Sequence, residues 1–84
     1  MNTRPSSAER VHLARVKALP CSVCDAPGPS HAHHISQQTA WTCIALCADC
    51  HQGASGWHGT RALWNVRKLD QLGALAITIR RLMT

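Results

Sequence analysis

The chain has 84 residues, with no Phe, no Tyr and only three Trp, so the apolar core that it can bury is small. Nine Lys and Arg stand against four Asp and Glu, and the net charge of +5 favours a polyanionic partner. No apolar run is long enough for a membrane span or a signal-peptide core, so we expect one cytoplasmic domain over residues 1–84. A chain this small needs a further source of stability, such as a bound metal.

The first predicted element is a helix over about residues 7–19. Ser6 followed by Glu9 has the pattern of a capping box, in which each residue bonds the backbone N–H of the other. Small and apolar residues then recur at helical spacing until Pro20, which lacks an N–H and ends the helix.

Two Cys-x-x-Cys pairs follow this helix, Cys21 with Cys24 and Cys47 with Cys50. In a reducing cytosol, pairs at this spacing are zinc ligands more often than disulfides, and four thiolates in a closed set suit structural zinc. We therefore predict a structural Zn²⁺ site at these four cysteines. Cys43 is left over, and we interpret it as a small buried hydrophobic residue on a strand rather than a fifth ligand.

The elements between and after the cysteine pairs are short. Residues 30–35 and 41–46 are strand candidates, the second because Trp, Thr and Ile favour a pleated surface. A short helix is predicted to start near Asp49 and to be interrupted by Gly53 and Gly56, and another covers about residues 60–69. Together with helices at both ends, these elements predict an α+β fold.

The last helix, over about residues 70–83, has the clearest pattern. Its apolar residues fall on one stripe at helical spacing: Leu72, Leu75, Ala76, Ile79, Leu82 and Met83. The residues off that stripe are Gln71, Thr78, Arg80 and Arg81. We predict that the stripe covers the core, with a helix that forms a homodimer as the alternative.

The order of the motifs carries a family resemblance. The first cysteine pair is followed by His33-His34-Ile35, then Leu46-Cys47-x-x-Cys50-His51, then Gly56-Trp57-His58-Gly59. Over about residues 21–64 the chain resembles the zinc-containing HNH endonucleases, including small phage and prophage HNH-like proteins and the phage recombination-enhancement nucleases. This resemblance implies a treble-clef-like zinc knuckle and a ββα-metal core over about residues 21–59.

The same resemblance implies a metal-dependent DNA endonuclease or nickase that acts in phage DNA processing or recombination. In that mechanism His34 is the general base that deprotonates a water, and His33 and His51 hold a divalent cation, whether Mg²⁺, Mn²⁺ or another. The position at which HNH proteins often carry Asn is Thr42 here. Its hydroxyl can orient the base or its loop but is a poorer metal ligand than an amide or carboxylate oxygen.

The histidines raise two questions of geometry. Neighbouring strand residues point to opposite faces, so His33 and His34 converge on one phosphate only if the strand ends or turns there. Plain alternation puts His31 on the same face as His33, which keeps His31 open as a ligand or phosphate contact. The resemblance suggests that the glycine-rich loop turns back and brings His58 beside His51 as a further ligand.

Basic residues after the histidine loop are the candidate contacts to DNA phosphates: Arg61, Arg67 and Lys68. The competing hypothesis is a zinc module without catalytic activity that binds DNA or a protein partner. Because the chain is so short, its specificity for DNA can also come from a homodimer or from a phage recombination partner.

Overall fold

The computed structural model describes residues 4–84, which form an α+β fold as predicted. The elements in chain order are α1 (Ser7–Lys17), β1 (His31–His34), β2 (Cys43–Leu46), α2 (Ala48–Gln52), α3 (Ala62–Val66) and α4 (Gln71–Leu82). The two strands pair antiparallel, and α1 and α4 pack against this sheet. From residue 4 onward, none of the helices has the length and apolar character that crossing a bilayer requires.

The predicted capping box is present at the start of α1. The Glu9 N–H donates to Ser6 Oγ at 3.1 Å, and Glu9 Oε1 accepts the Ser6 N–H at 3.0 Å. The second carboxylate oxygen of Glu9 accepts the Ala40 N–H at 3.1 Å, which ties the start of α1 to the loop between the strands. Because these bonds favour the ionised carboxylate, they lower the pKa of Glu9. α1 ends at Lys17, slightly earlier than predicted.

β2 lies at the centre of the fold and is buried along its whole length. It pairs with β1 in a register that places His31 opposite Leu46 and His34 opposite Cys43. Trp41, with which this strand was predicted to begin, lies before it and is 50% exposed. The strand is shorter than predicted because the ladder with β1 begins only at Cys43.

Within residues 4–84, a backbone N–H and a side-chain hydroxyl, rather than a third strand, close the outer edge of β2. The Ala45 carbonyl accepts the Ser22 N–H at 2.9 Å, and the Ala45 N–H donates to Thr78 Oγ1 at 3.3 Å. The Thr78 hydroxyl also donates to the Ala74 carbonyl at 3.0 Å and lies 2.7 Å from Ser22 Oγ. A fully buried hydroxyl from α4 thus satisfies a strand edge that would otherwise be unpaired.

This edge contact overturns the predicted orientation of α4. The helix fully buries Ala74 and Thr78 instead of the predicted apolar stripe. Four residues of that stripe are exposed: Leu72, Ala76, Ile79 and Met83. The physical reason is that short side chains let the helix approach β2 closely, and Thr78 supplies the hydroxyl that the strand edge needs. Leu75 and Leu82 still pack against the core, so α4 covers the core as predicted but through a different face.

α3 is shorter than the helix predicted over residues 60–69. Arg61 and Lys68 flank it with φ values of 64° and 55°, a left-handed conformation that an α-helix does not contain. Within α3, Trp64 is fully buried, and its Nε1 donates to the Cys50 carbonyl at 2.8 Å. Trp64 shares one core cluster with Cys50, so α3 supports the region of the cysteine pairs.

Candidate metal centres

The cysteines of the two Cys-x-x-Cys pairs form one group, called here the thiolate site: Cys21, Cys24, Cys47 and Cys50. Their sulfur atoms lie within 4.8 Å of one another, and Cys24 Sγ is 3.6 Å from Cys47 Sγ. Zinc–sulfur bonds of about 2.3 Å in a tetrahedron place the sulfur atoms about 3.8 Å apart. The thiolate site is therefore geometrically suited to binding zinc, in agreement with the sequence-based prediction.

The surrounding backbone holds each cysteine pair. Cys21 and Cys24 flank a turn in which the Val23 N–H donates to Cys21 Sγ at 3.4 Å. Cys47 is the N-cap of α2, and its sulfur accepts the Cys50 N–H at 3.4 Å. These N–H donors hold the sulfur atoms of Cys21 and Cys47 in place, and the two turns orient both pairs towards one point.

Burial sets the protonation of the sulfur atoms. Burial, and then the hydrogen bond with Cys47, raise the pKa of the Cys50 thiol. Such a thiol stays protonated at neutral pH unless a cation displaces the proton. Cys43 lies outside the thiolate site and is 1% exposed within β2, and burial followed by the Glu9 charge raises its pKa to about 11. This is the small buried residue that was predicted, and Cys43, like the other cysteines, is free.

A second group, called here the imidazole site, consists of His33, His51 and His58. One nitrogen from each ring lies within 4.8 Å of the others, and His33 Nδ1 is 3.2 Å from His51 Nε2. Metal–nitrogen bonds of about 2.1 Å in a tetrahedron place the nitrogens about 3.4 Å apart, so the spacing is compatible with one metal ion. His33 on β1 is 7% exposed whereas His58 is exposed, so the site opens to solvent on one side.

The loop after α2 turns back and carries His58 to the imidazole site. The His58 N–H donates to the His51 carbonyl at 3.1 Å. Gly56 lies so close to α2 that a Cβ there would collide with the Asp49 carbonyl and the backbone of Cys50. Only a glycine permits this close return of the chain, which is why the glycine spacing was an informative signal.

Burial and mutual repulsion keep the rings of His33 and His51 neutral. Burial, and then the rings of His33, His58 and His31, lower the pKa of His51 to about 4. Burial also lowers the pKa of His33, with the hydrogen bond that His33 donates to Gln71 acting in the opposite direction. Both rings are therefore neutral at pH 7, which is the form in which imidazole binds metals.

Two further side chains bond the ring nitrogens of this site. His31 Nδ1 lies 2.9 Å from His51 Nδ1, and Gln71 Oε1 lies 2.7 Å from His33 Nε2. Strand alternation had placed His31 on this face. Gln71, the first residue of α4, was not among the predicted site residues, because no local spacing links it to His33 on β1.

His34, the predicted general base, is not brought into the imidazole site. Its side chain lines a depression of about 300 Å³ beside α1, together with Glu9, Leu13 and Gln38. β1 extends through His34, so His33 and His34 point to opposite faces of the sheet. The convergence of these two side chains on one phosphate, which required the strand to end or turn earlier, is therefore not seen.

Thr42, which stands at the usual Asn position, orients the loop after β1 through its backbone alone. Its carbonyl accepts the Ile35 N–H at 3.1 Å. Its Oγ1 is buried and has no hydrogen-bond partner within residues 4–84. The Thr42 hydroxyl thus orients none of the histidines.

The three candidate phosphate contacts lie in different surroundings. The Arg61 guanidinium lies over the Trp57 ring at 3.7 Å from its centroid, and Arg61 Nε donates to the Trp57 carbonyl at 2.9 Å. Arg61 therefore contacts the loop that carries His58. Arg67 lines a separate depression beside Asp25, near the first cysteine pair, and Lys68 is exposed.

Comparison of the chain with protein-family models, curated proteins and solved structures finds no match. The thiolate site is largely buried and has a full tetrahedral set of ligands, whereas the imidazole site has three ligands and an open side.

Proposed function

We propose that the chain is a metal-dependent DNA endonuclease or nickase of the HNH type, with structural zinc at the thiolate site. The observation that supports this most is the pairing of a closed thiolate group with an open imidazole group in so small a domain. A closed set of thiolates suits structural zinc, whereas an incomplete imidazole set suits a cation that touches a substrate. The net charge of +5 favours a polyanionic substrate, and the resemblance suggests phage DNA processing or recombination as the setting.

The donor set argues for a transition-metal cation at the imidazole site. Its ligands are three imidazoles, and within residues 4–84 no carboxylate joins the group. Mg²⁺ and Mn²⁺ prefer oxygen ligands, whereas imidazole suits Zn²⁺ and Ni²⁺. We therefore expect Zn²⁺ or Ni²⁺ to bind there more tightly than Mg²⁺ or Mn²⁺.

The side chains around this site have separate roles in the proposed reaction. A bound cation supplies positive charge to the phosphate and to the leaving oxygen. His34 is the proposed general base for the attacking water, and because it faces α1, the scissile phosphate has to reach across the end of β1. Arg61, stacked on Trp57 beside the histidine loop, is available to contact a flanking phosphate.

Nicking of supercoiled plasmid tests the cation site. Wild-type protein should nick the plasmid when Zn²⁺, Ni²⁺ or Mn²⁺ is added beyond the structural zinc. His58→Ala should lose cleavage and keep its fold, because His58 is exposed. Gln52→Ala, an exposed change beside His51, is the matched control and should cleave like wild type. A wild-type protein that nicks with none of these cations refutes the proposal.

Two more variants test the assignment of the base. His34→Ala should lower the cleavage rate about 10²- to 10⁴-fold, the usual contribution of a general base. His31→Ala should cost less, because His31 contacts His51 rather than a water in this proposal. Full activity in His34→Ala together with a large loss in His31→Ala would show that the base is assigned to the wrong histidine.

The second candidate function is a zinc module without catalytic activity that binds DNA or a protein partner. The orientation of His34 towards α1 favours it, because His34 then lies away from the imidazole site. The Thr42 hydroxyl, which has no partner within residues 4–84, also orients none of the histidines. DNA binding that weakens steeply with salt, without any cleavage, would support this function.

A further inference from the structure

A neutral imidazole has one N–H and one lone pair, and only the nitrogen with the lone pair can bind a metal. For a histidine ligand, the other ring nitrogen must therefore carry the hydrogen. When that nitrogen is shielded from water, its N–H needs an acceptor in the protein. The identity of the acceptor then decides which nitrogen faces the cation.

His33 has such an acceptor in Gln71. His33 Nε2 lies 2.7 Å from Gln71 Oε1, and an amide oxygen can only accept, so the hydrogen is on Nε2. This leaves the lone pair on His33 Nδ1, the atom that faces His51 Nε2 at 3.2 Å. Gln71 is held in place because Asp70 caps α4, its Oδ1 accepting the Gly73 N–H at 2.8 Å.

His51 contacts a different histidine through each of its nitrogens. Its Nε2 faces His33, and its Nδ1 lies 2.9 Å from His31 Nδ1. If His51 Nδ1 carries the hydrogen and donates to His31, the lone pairs of His33 and His51 face each other across 3.2 Å, which is favourable only with a cation between them. If His51 Nε2 carries the hydrogen, it donates to His33 Nδ1, and His51 Nδ1 accepts from His31 instead.

We propose that Gln71 and His31 are positioning residues of the imidazole site, which hold His33 and His51 in the tautomers that present two lone pairs to one cation. Binding of the cation then moves the hydrogen of His51 from Nε2 to Nδ1 and that of His31 from Nδ1 to Nε2, with no net gain or loss of protons. The exposed His31 Nε2 thereby changes from an acceptor into a donor, the form that bonds a phosphate oxygen. The inference rests on the cation site of the proposed function and not on cleavage of DNA.

Nitrogen-15 NMR of the histidine rings tests the tautomers directly. The protein carries one equivalent of Zn²⁺ at the thiolate site, and a second equivalent is added. We expect His33 to carry its hydrogen on Nε2 throughout, and the hydrogens of His51 and His31 to change nitrogen as described. An unchanged His31, or a His33 protonated on Nδ1 after the addition, overturns the inference.

Calorimetric titration of the second Zn²⁺ into variants tests the positioning role of Gln71. Gln71→Met keeps the length of the side chain without the acceptor, and should weaken binding of the second Zn²⁺ about 10- to 100-fold. Gln71→Glu keeps an acceptor and should bind at least as tightly as wild type. Gln52→Met, an exposed change on α2, is the control and should bind like wild type.

The thiolate zinc and the thermal unfolding of all these variants should be unchanged, because the side chain of Gln71 bonds His33 and not a cysteine. The inference is overturned if Gln71→Met binds the second Zn²⁺ as tightly as wild type, if Gln71→Glu loses as much affinity as Gln71→Met, or if wild type binds no second Zn²⁺. A protein that shows the expected tautomers and affinities but does not nick DNA retains this inference and refutes only the nuclease.

Discussion

The Thr78 hydroxyl closes the outer edge of β2, so its replacement by Val tests the architecture with little change of shape. Val leaves two buried donors, the Ala45 N–H and the Ser22 hydroxyl, without their acceptor. An orphaned buried donor costs about 1–3 kcal/mol, so Thr78→Val should lose about 2–6 kcal/mol of unfolding free energy. That is a large part of the roughly 5–15 kcal/mol that stabilises a typical domain.

Urea unfolding at a fixed excess of Zn²⁺, followed by Trp fluorescence, measures this loss. Thr78→Ser keeps the hydroxyl and should lose only about 1 kcal/mol for the missing methyl group. Adding Ser22→Ala to Thr78→Val removes one of the orphaned donors, so the double variant should be more stable than the sum of the single changes by about 1–3 kcal/mol. A Thr78→Val protein within about 0.5 kcal/mol of wild type would refute the role of this hydroxyl.

Three other experiments test the two candidate cation sites. Cys50→Ser should unfold and lose one equivalent of zinc by elemental analysis, since structural zinc contributes on the order of 10 kcal/mol. Cys43→Ala is the control and should keep its zinc. Equal loss of zinc in both variants would contradict the ligand set. In protein with metal only at the thiolate site, the NMR titration of His51 should have its midpoint near pH 4 instead of 6.5. Because the unfolded chain then takes up the proton first, the part of the stability that comes from the His51 ring should fall as the pH drops from about 6.5 to about 4. A titration midpoint near 6.5 would show that the ring is exposed. Gly56→Ala should displace the loop that carries His58 and weaken Zn²⁺ binding at the imidazole site by about tenfold or more. Ser55→Ala is the control and should bind like wild type. Unchanged affinity in Gly56→Ala would mean that the loop adapts to the added methyl group.

The features that depend on residues close together in the chain could be predicted from the sequence. The capping box joins Ser6 to Glu9, and each Cys-x-x-Cys pair is shaped by N–H groups within its own turn. The return of His58 could also be anticipated, because glycines remove the side chains that would block a close approach of the loop to α2. In each case a short spacing fixes the geometry.

The features that depend on distant residues could not be predicted in this way. The face that α4 buries is decided by Thr78 and the edge of β2, not by the apolar period of the helix. The bond between Gln71 and His33 joins residues 38 positions apart. The direction of His34 depends on whether β1 continues by one residue more or less, a detail that strand propensities do not resolve.

The short helix α2 joins the two cation sites, since Cys50 belongs to one and the next residue, His51, to the other. A helix of 5 residues has no stability of its own, so α2 relies on the bond from Trp64 and would be held further by a metal at Cys47 and Cys50. In the proposed function, the two cations would therefore load in order, with the thiolates filled before the imidazoles assemble. When zinc is scarce, the imidazole site would then stay empty even at cation concentrations that are high enough for its own affinity.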